Sequence, residues 1–130
     1  GIAIKLGSNF SNISKIDETT LIAGASTIDR KLSEYAMENE ISGFEFLSCI
    51  PGTVGGGIRM NSGCFENEFK DIIVSVQALD ENGNILSIPK EKIEFSYRKI
   101  NLNPNLIFLS ATFKGKKGEK NKIKKKIFTF

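Results

Sequence analysis

Histidine is absent from this 130-residue chain, and cysteine occurs only twice. Without histidine, and with Cys49 and Cys64 at no metal-ligand spacing, a zinc site is not expected. The two thiols sit among small or apolar residues and read as a pair of buried, reduced cysteines. No apolar run approaches the roughly 20 residues that a membrane helix needs. No secretory signal is visible either, since the chain opens on GIAIKL, an amphipathic strand-like stretch. It opens on Gly1 rather than methionine, so a piece of a longer chain is expected. Hydrophobic residues at 40% and charged residues at 25% fit an ordinary globular domain with a modest core.

Basic residues are scarce outside one stretch. Residues 114–126 read KGKKGEKNKIKKK, with eight lysines and one glutamate, while the remaining 10 basic and 14 acidic residues leave the rest at −4. The run has no arginine and no interleaved aromatic ring. A solvated C-terminal helix or tail over residues 114–130 is expected, and nucleic-acid binding is not.

What is there reads as α+β, a mixed or antiparallel sheet with flanking helices. Residues 1–5 and 19–23 alternate like strands, the second ending at Gly24. Ser26, three residues before Asp29, resembles a helix N-cap, and Ile28, Leu32, Tyr35 and Ala36 then recur at helical spacing, which predicts a helix over 27–39. Residues 43–47 suggest one helical turn. Residues 71–79 alternate again, DENGN at 80–84 is hairpin chemistry, and 85–88 returns. A helical turn is expected at 89–93 and a last strand at 107–113.

The segment that stands out is IPGTVGGGIRMNSG, residues 50–63, with five glycines in fourteen residues. Glycine is entropically costly to fix, so something must require it. One reading is a cradle of backbone N–H groups around an anion; the other is a purely structural turn. It is not a P-loop, because no Gly-Lys-Ser/Thr follows. Nor does it match the dinucleotide fingerprint, because it follows a helical turn rather than a strand and leads into no clear amphipathic helix. Thr53 and Asn61 can exchange hydrogen bonds, and Pro51 fixes the backbone direction. Downstream, Phe95-Ser96-Tyr97-Arg98 is weak evidence alone: a surface ion pair beside a half-buried ring, or an arginine aimed at a carboxylate or oxyanion.

Together these pieces resemble the flavin-binding segment of the UDP-N-acetylenolpyruvoylglucosamine reductases, the FAD enzymes of bacterial peptidoglycan synthesis. The resemblance rests on GFEF at residues 43–46 followed by IPGTVGG, on Asn61-Ser62-Gly63-Cys64-Phe65, on Gly24-Ala25 after a strand, and on IEFSYR at 93–98. It implies the second subdomain of a vanillyl-alcohol-oxidase-type FAD domain over residues 1–113. It implies cofactor contacts from Gly24, Ala25, Ile50, Pro51, Gly52, Thr53, Val54, Gly55, Gly56, Ile58, Met60, Asn61, Gly63 and Tyr97, with Arg98 as the catalytic residue. NADPH is the implied reductant, a UDP-sugar the substrate and the cytoplasm the location.

Three departures qualify what the resemblance implies. The Gly7-Ser8-Asn9 turn carries the letters of the family's other phosphate loop but sits on the wrong side of a strand. The serine proton donor and the glutamate of the family's substrate domain have no counterpart here, so catalysis by this chain alone is not expected, and association with missing subdomains or with itself is. Glu66 replaces a small residue and is expected to face solvent. The alternatives are the flavin subdomain of another FAD-linked oxidase, or a non-catalytic remnant whose glycine loop is structural.

Overall fold

The longest strand, Ile107–Lys114, holds the centre of the architecture. The computed structural model describes residues 10–64, 66–96 and 99–129. The expected first strand at 1–5, the Gly7-Ser8-Asn9 turn, Tyr97 and Arg98 lie outside the described residues. In chain order the elements are β1 (Ile13–Lys15), β2 (Thr20–Gly24), α1 (Asp29–Glu38), β3 (Ile41–Ser42), α2 (Val54–Arg59), β4 (Gly63–Cys64), β5 (Asn67–Glu68), β6 (Ile73–Leu79), β7 (Ile85–Pro89), β8 (Phe95–Ser96), β9 (Lys99–Ile100), β10 (Ile107–Lys114), β11 (Lys116–Lys117) and α3 (Lys120–Thr129). Turns of 3₁₀ helix occupy Glu45–Cys49, Phe69–Asp71 and Lys90–Lys92. Five strands form one sheet in the order β1-β2-β10-β6-β7, with antiparallel neighbours throughout. The class is α+β, and the antiparallel form of the expected sheet is the one adopted.

Two bulges explain burial that simple alternation would forbid. Ile73 and Val76 are both buried although three residues apart, and so are Phe108 and Ala111. The β10–β6 register jumps from Thr112↔Ser75 to Phe113↔Ile73 and from Phe108↔Ala78 to Ser110↔Gln77. The extra residues are Val74 and Leu109, and each inserted residue turns the strand's apolar side over. The second bulge also has a use, because the Leu109 carbonyl accepts from Ala25 N at 2.8 Å. Between β6 and β7, Asp80 shapes the expected hairpin turn: its Oδ1 accepts from Asn82 N and Asn84 N, each at 2.9 Å, and Gly83 takes φ +82. Those bonds, that of Asn84 N foremost, hold its carboxyl below the ordinary value.

Over the sheet lies a ladder of aromatic rings. Phe44 meets Phe113, Phe113 meets Phe69, and Phe69 meets Phe46, all edge-on with centroids 6.0–6.2 Å apart. The GFEF motif builds its upper part. Gly43 takes φ +109, its N–H is accepted by Glu45 Oε1 at 2.6 Å, and Phe44 and Phe46 are thereby turned inward on either side of that carboxylate.

Several expectations are corrected. The helix expected over 27–39 starts at Asp29, and the residue before it, Ile28, caps it without a side-chain bond. Ser26 is therefore not the cap, and Ile28 is 49% exposed rather than part of the buried face. In the C-terminal lysine run a helix forms, α3, largely exposed but anchored. Lys116–Lys117 pairs with β3, Ile123 is buried, and Lys120 reaches Glu38 at 2.8 Å, which docks α3 beside α1. Cys49 and Cys64 are half-buried and joined as a disulfide rather than held as two thiols. The reason is local: β4 packs against the Glu45–Cys49 turn, which brings the two ends of the glycine-rich segment together.

Candidate functional site

Contrary to the sequence expectation, the glycine-rich segment is helical. Gly52 takes φ +128, a conformation that glycine tolerates, and Thr53 then caps α2, its Oγ1 accepting from Gly56 N at 3.3 Å. The loop amides are spent inside the protein. Val54 N donates to Thr27 O at 2.8 Å, Gly55 N to Ala25 O at 2.9 Å, and Gly57 N to Thr53 O at 2.9 Å. With Gly56 N on the Thr53 hydroxyl, these four donors do not form the anion cradle that the glycine content suggested.

The helix instead has two faces, and they divide the sequence-predicted residues. Val54, Ile58 and Asn61 are buried, as are Gly24 and Ala25 beneath them, while Ile50, Gly55 and Gly63 are half-buried. Pro51, Gly52, Thr53, Gly56 and Met60 are exposed, and Thr53, Gly56 and Met60 fall at the i, i+3, i+7 spacing of one helical face. Ile28, bridged to Thr53, lies beside that face, and helical periodicity does not find it. Its signal is an isoleucine left 49% exposed beside Thr53, on whose helical face Met60 is 55% accessible. Glu66 faces solvent, as expected.

The glycines on the two faces answer to different demands. A Cβ on Gly57 would lie 2.4 Å from the Phe69 ring, and one on Gly55 would lie 3.2 Å from both Ala25 Cβ and Ala25 O. Those glycines let α2 sit down on the aromatic ladder and on the Gly24-Ala25 turn. A Cβ on Gly56 would meet nothing nearer than Thr53 Oγ1 at 3.5 Å, which is ordinary contact. Among the described residues nothing explains it.

At the far end of α2, two polar side chains reach across the chain. Arg59 donates to Asn103 O at 3.1 Å and to Leu106 O at 2.6 Å, and its guanidinium lies 4.1 Å from the centre of the Phe108 ring. Partial burial lowers its pKa from the ordinary value. Asn61, fully buried at φ +43, accepts from Lys70 N and donates to Ser96 O, each at 3.1 Å. Ser96 ends β8, and Tyr97 and Arg98 lie between it and β9.

Beneath the segment lies an acid that no sequence signal singles out. Asp29 N donates to Gly52 O at 3.0 Å, while its side chain is fully buried and neither carboxylate oxygen has a hydrogen-bond partner among the described residues. Desolvation alone pushes this carboxyl up to about 7.

The chain is similar to known proteins. Residues 1–89 match the FAD binding domain family. The UDP-N-acetylenolpyruvoylglucosamine reductase of Pelagibacter ubique is 54% identical over 127 residues, which is 98% of this chain and 42% of that protein. The protein of the same name from Rickettsia massiliae is 52% identical over 123 residues, 95% of this chain and 41% of its own length. The chain thus spans about two fifths of these relatives. The crystal structure of UDP-N-acetylenolpyruvylglucosamine reductase from Thermus caldophilus superposes with a TM-score of 0.83 at 29% identity, over 96% of this chain and 45% of that one. Among the described residues no helix is long and apolar enough to cross a membrane. With more than half of its residues matched, and with a glycine helix presenting one open face, the chain belongs to the FAD binding domain family.

Proposed function

We propose that this chain is the FAD-binding portion of an NADPH-dependent reductase that converts UDP-N-acetylglucosamine enolpyruvate to UDP-N-acetylmuramate. That places it in peptidoglycan synthesis in the bacterial cytoplasm, upstream of cell-wall growth, cell shape and division. The observation that carries the reading is Gly56. Glycine in a helix costs about 1 kcal/mol relative to alanine. Gly55 and Gly57 have internal reasons for that cost and, among the described residues, Gly56 has none. A flat cofactor laid against the exposed face would supply one, and it would find apolar contact at Met60 and Ile28.

In this reading Pro51, Gly52, Thr53, Gly56 and Met60 touch the cofactor. Gly24, Ala25, Ile50, Val54, Gly55, Ile58 and Gly63 support that surface from behind. Bound FAD would supply hydride transfer between NADPH and the enolpyruvyl double bond. Arg98 would hold the negative charge that develops on the substrate carboxylate, for which a permanently charged, planar guanidinium is suited, with Tyr97 as its neighbour. The proton donor and most of the sugar-nucleotide site would come from outside residues 1–130, so turnover by this chain alone is not expected. Residues 1–113 would form the flavin subdomain, with 114–130 carrying α3. The two edges of the sheet, β1 and β7, support association with further subdomains or with a second copy.

Titration of the purified protein with FAD, followed by flavin fluorescence, tests the reading. Gly56→Leu is expected to weaken binding at least about 10-fold, the equivalent of about 1.4 kcal/mol, without lowering thermal stability. No binding at high-micromolar FAD, or equal binding by the variant, would overturn it. Reduction of the bound flavin by NADPH, set against reduction by alcohols, then separates a reductase from an oxidase of the same fold.

A further inference from the structure

The bond between Cys49 and Cys64 encloses residues 50–63, the whole of the glycine-rich segment and nothing else. Cys49 closes the Glu45–Cys49 turn and Cys64 ends β4, so the bond joins the entry of the segment to its exit. The middle of the segment has anchors of its own. Val54 N and Gly55 N donate to the carbonyls of Thr27 and Ala25, and Val54 and Ile58 are fully buried. Outside those anchors the segment turns to solvent: Pro51 and Gly52 are exposed before α2, and Met60 at its close. β4 is paired to β5 through two residue pairs, Gly63↔Glu68 and Cys64↔Asn67. The bond therefore acts where the proposed function places Pro51, Gly52 and Met60 against the cofactor.

The fold accommodates the open pair as well as the closed one. Both cysteines are half-buried, so an attacking thiolate has a route to the bond. Phe46 O lies 3.0 Å from Cys49 Sγ within the same turn, and accepts from the thiol once the bond opens. The small and apolar neighbours also suit reduced thiols. In a cytoplasm, disulfides are opened by the thiol pool, and those that form there are transient and redox-sensing more often than structural.

We propose that Cys49 and Cys64 are a thiol–disulfide switch on the cofactor-facing segment: closed, it fixes both ends of the segment, and open, it releases them while the middle stays anchored. The exchange partner is a low-molecular-weight disulfide such as glutathione disulfide. One cysteine thiolate attacks it and releases one glutathione; the second attacks the mixed disulfide, forms the Cys49–Cys64 bond and releases the other. The pair gives up two protons and two electrons, and the electrons reduce one glutathione disulfide to two glutathiones. A cross-link removes freedom from the loop that it closes, and a surface already ordered costs a ligand less to bind. The inference rests on the proposed function for its cofactor and its compartment.

Equilibration of the purified protein in mixtures of reduced and oxidised glutathione, quenched by alkylation and read by mass spectrometry, counts the free thiols. Reversible passage between two free thiols and none is expected. A bond that survives excess reduced glutathione would make it a permanent staple, and thiols that stop as mixed disulfides would mean that the pair does not close; either result overturns the switch. Hydrogen exchange without cofactor shows what the bond holds. Ile50 N, on Leu47 O at 3.2 Å, and Ser62 N, on Gly57 O at 2.8 Å, are expected to exchange on the order of 10-fold faster in the open form, with Val54 and Gly55 unchanged. Equal exchange at the two ends, or acceleration spread over the whole fold, would refute it. Cys49→Ser combined with Cys64→Ala, which leaves a hydroxyl for Phe46 O and cannot close, is expected to match the open form at every glutathione ratio. A change with glutathione in that variant would place the effect elsewhere.

Flavin titration of the two forms then tests the consequence, and the closed form is expected to bind FAD about 10-fold more tightly than the open one. Equal affinities would overturn control of the cofactor by the pair. Binding in neither form would refute the proposed function instead, while the thiol counts and the exchange pattern still decide whether the switch exists.

Discussion

Gly56 and Gly57 are neighbours in sequence, yet on one helix the first is exposed and the second buried. Toward the core, Val54, Gly57 and Ile58 are packed against the aromatic ladder, and Gly57 exists because Phe69 occupies the space a methyl group would need. Toward solvent, Thr53, Gly56 and Met60 form a face with room for a methyl group, and nothing among the described residues accounts for its flatness. On the proposed reading, a glycine-rich segment is two things at once: a packing solution on one side and a ligand surface on the other. The distinction matters for reading any such loop. Glycine content alone counts both kinds together, whereas only the outward kind speaks to function.

The largest expected effect probes what lies under the outer face. Asp29 supports Gly52 through its backbone and keeps an isolated carboxyl in the interior. Its folded pKa, about 7, lies above the ordinary aspartate value of 3.8. Burial therefore favours the protonated acid: below pH 4 the group does not penalise folding, and stability falls as pH rises from about 4 through about 7. The full penalty above that range is up to about 4 kcal/mol, since a tenfold change in acidity is worth about 1.4 kcal/mol. Urea denaturation between pH 5 and pH 8 is expected to show falling stability for the unaltered protein and a much flatter profile for Asp29→Asn. Equal slopes for the two proteins would mean that Asp29 is already neutralised by another route.

Next comes the inner face itself. Gly57→Ala places a methyl group 2.4 Å from a ring that is boxed in by Phe46 and Phe113. Overpacking of this kind costs about 1–3 kcal/mol. Gly55→Ala is expected to cost less, because its 3.2 Å contacts need only a few tenths of an ångström of relief, although one of them is the backbone oxygen of Ala25. The midpoint of urea unfolding, at constant m, ranks the two. Trimming the obstacle with Phe69→Leu is expected to make Gly57→Ala less costly than it is alone. A cost that is the same beside leucine would show that the ring is not what excludes the methyl group.

How much of this is legible in the sequence depends on what each residue answers to. The hairpin at 80–84 and the helix near 29–38 are legible because their causes are local: Asp80 folds its own turn, and Leu32 and Ala36 repeat at helical spacing. The outward position of Ile28 is not legible, since spacing alone extends the helical stripe by one residue and only the bridge to Thr53 ends it. The bulges at Val74 and Leu109 are also silent in sequence, because each depends on the partner strand's register. The glycine segment is recognisable by its letters and not by its form. A run of glycines predicts no helix by propensity, yet the Thr53 cap, the Ala25 carbonyl and the Phe69 ring together hold one. Asn61 shows the same limit from the other side: its letter suits a ligand contact, and only the distant Ser96 carbonyl reveals an internal one.

The smallest expected effect is also the one that separates the faces most cleanly. Gly56→Ala adds one methyl group on the open side, 3.5 Å from Thr53 Oγ1, where ordinary contact is possible. Alanine restricts the unfolded chain and favours the helix, so stability is expected to rise by about 0.5–1 kcal/mol. Flavin affinity is expected to fall in the same protein, because the methyl group stands on the surface against which the cofactor would lie. Gly57→Ala is expected to show the reverse emphasis, with a large loss of stability and a flavin affinity that changes only as far as the folded population does. Calorimetry and flavin titration on the two variants give four values. Two variants that lose stability and affinity in the same proportion would mean that α2 responds as one packed unit. A Gly56→Ala protein that is more stable and binds flavin less well would place the cofactor on the outer face, one residue away from the packing that holds that face in position.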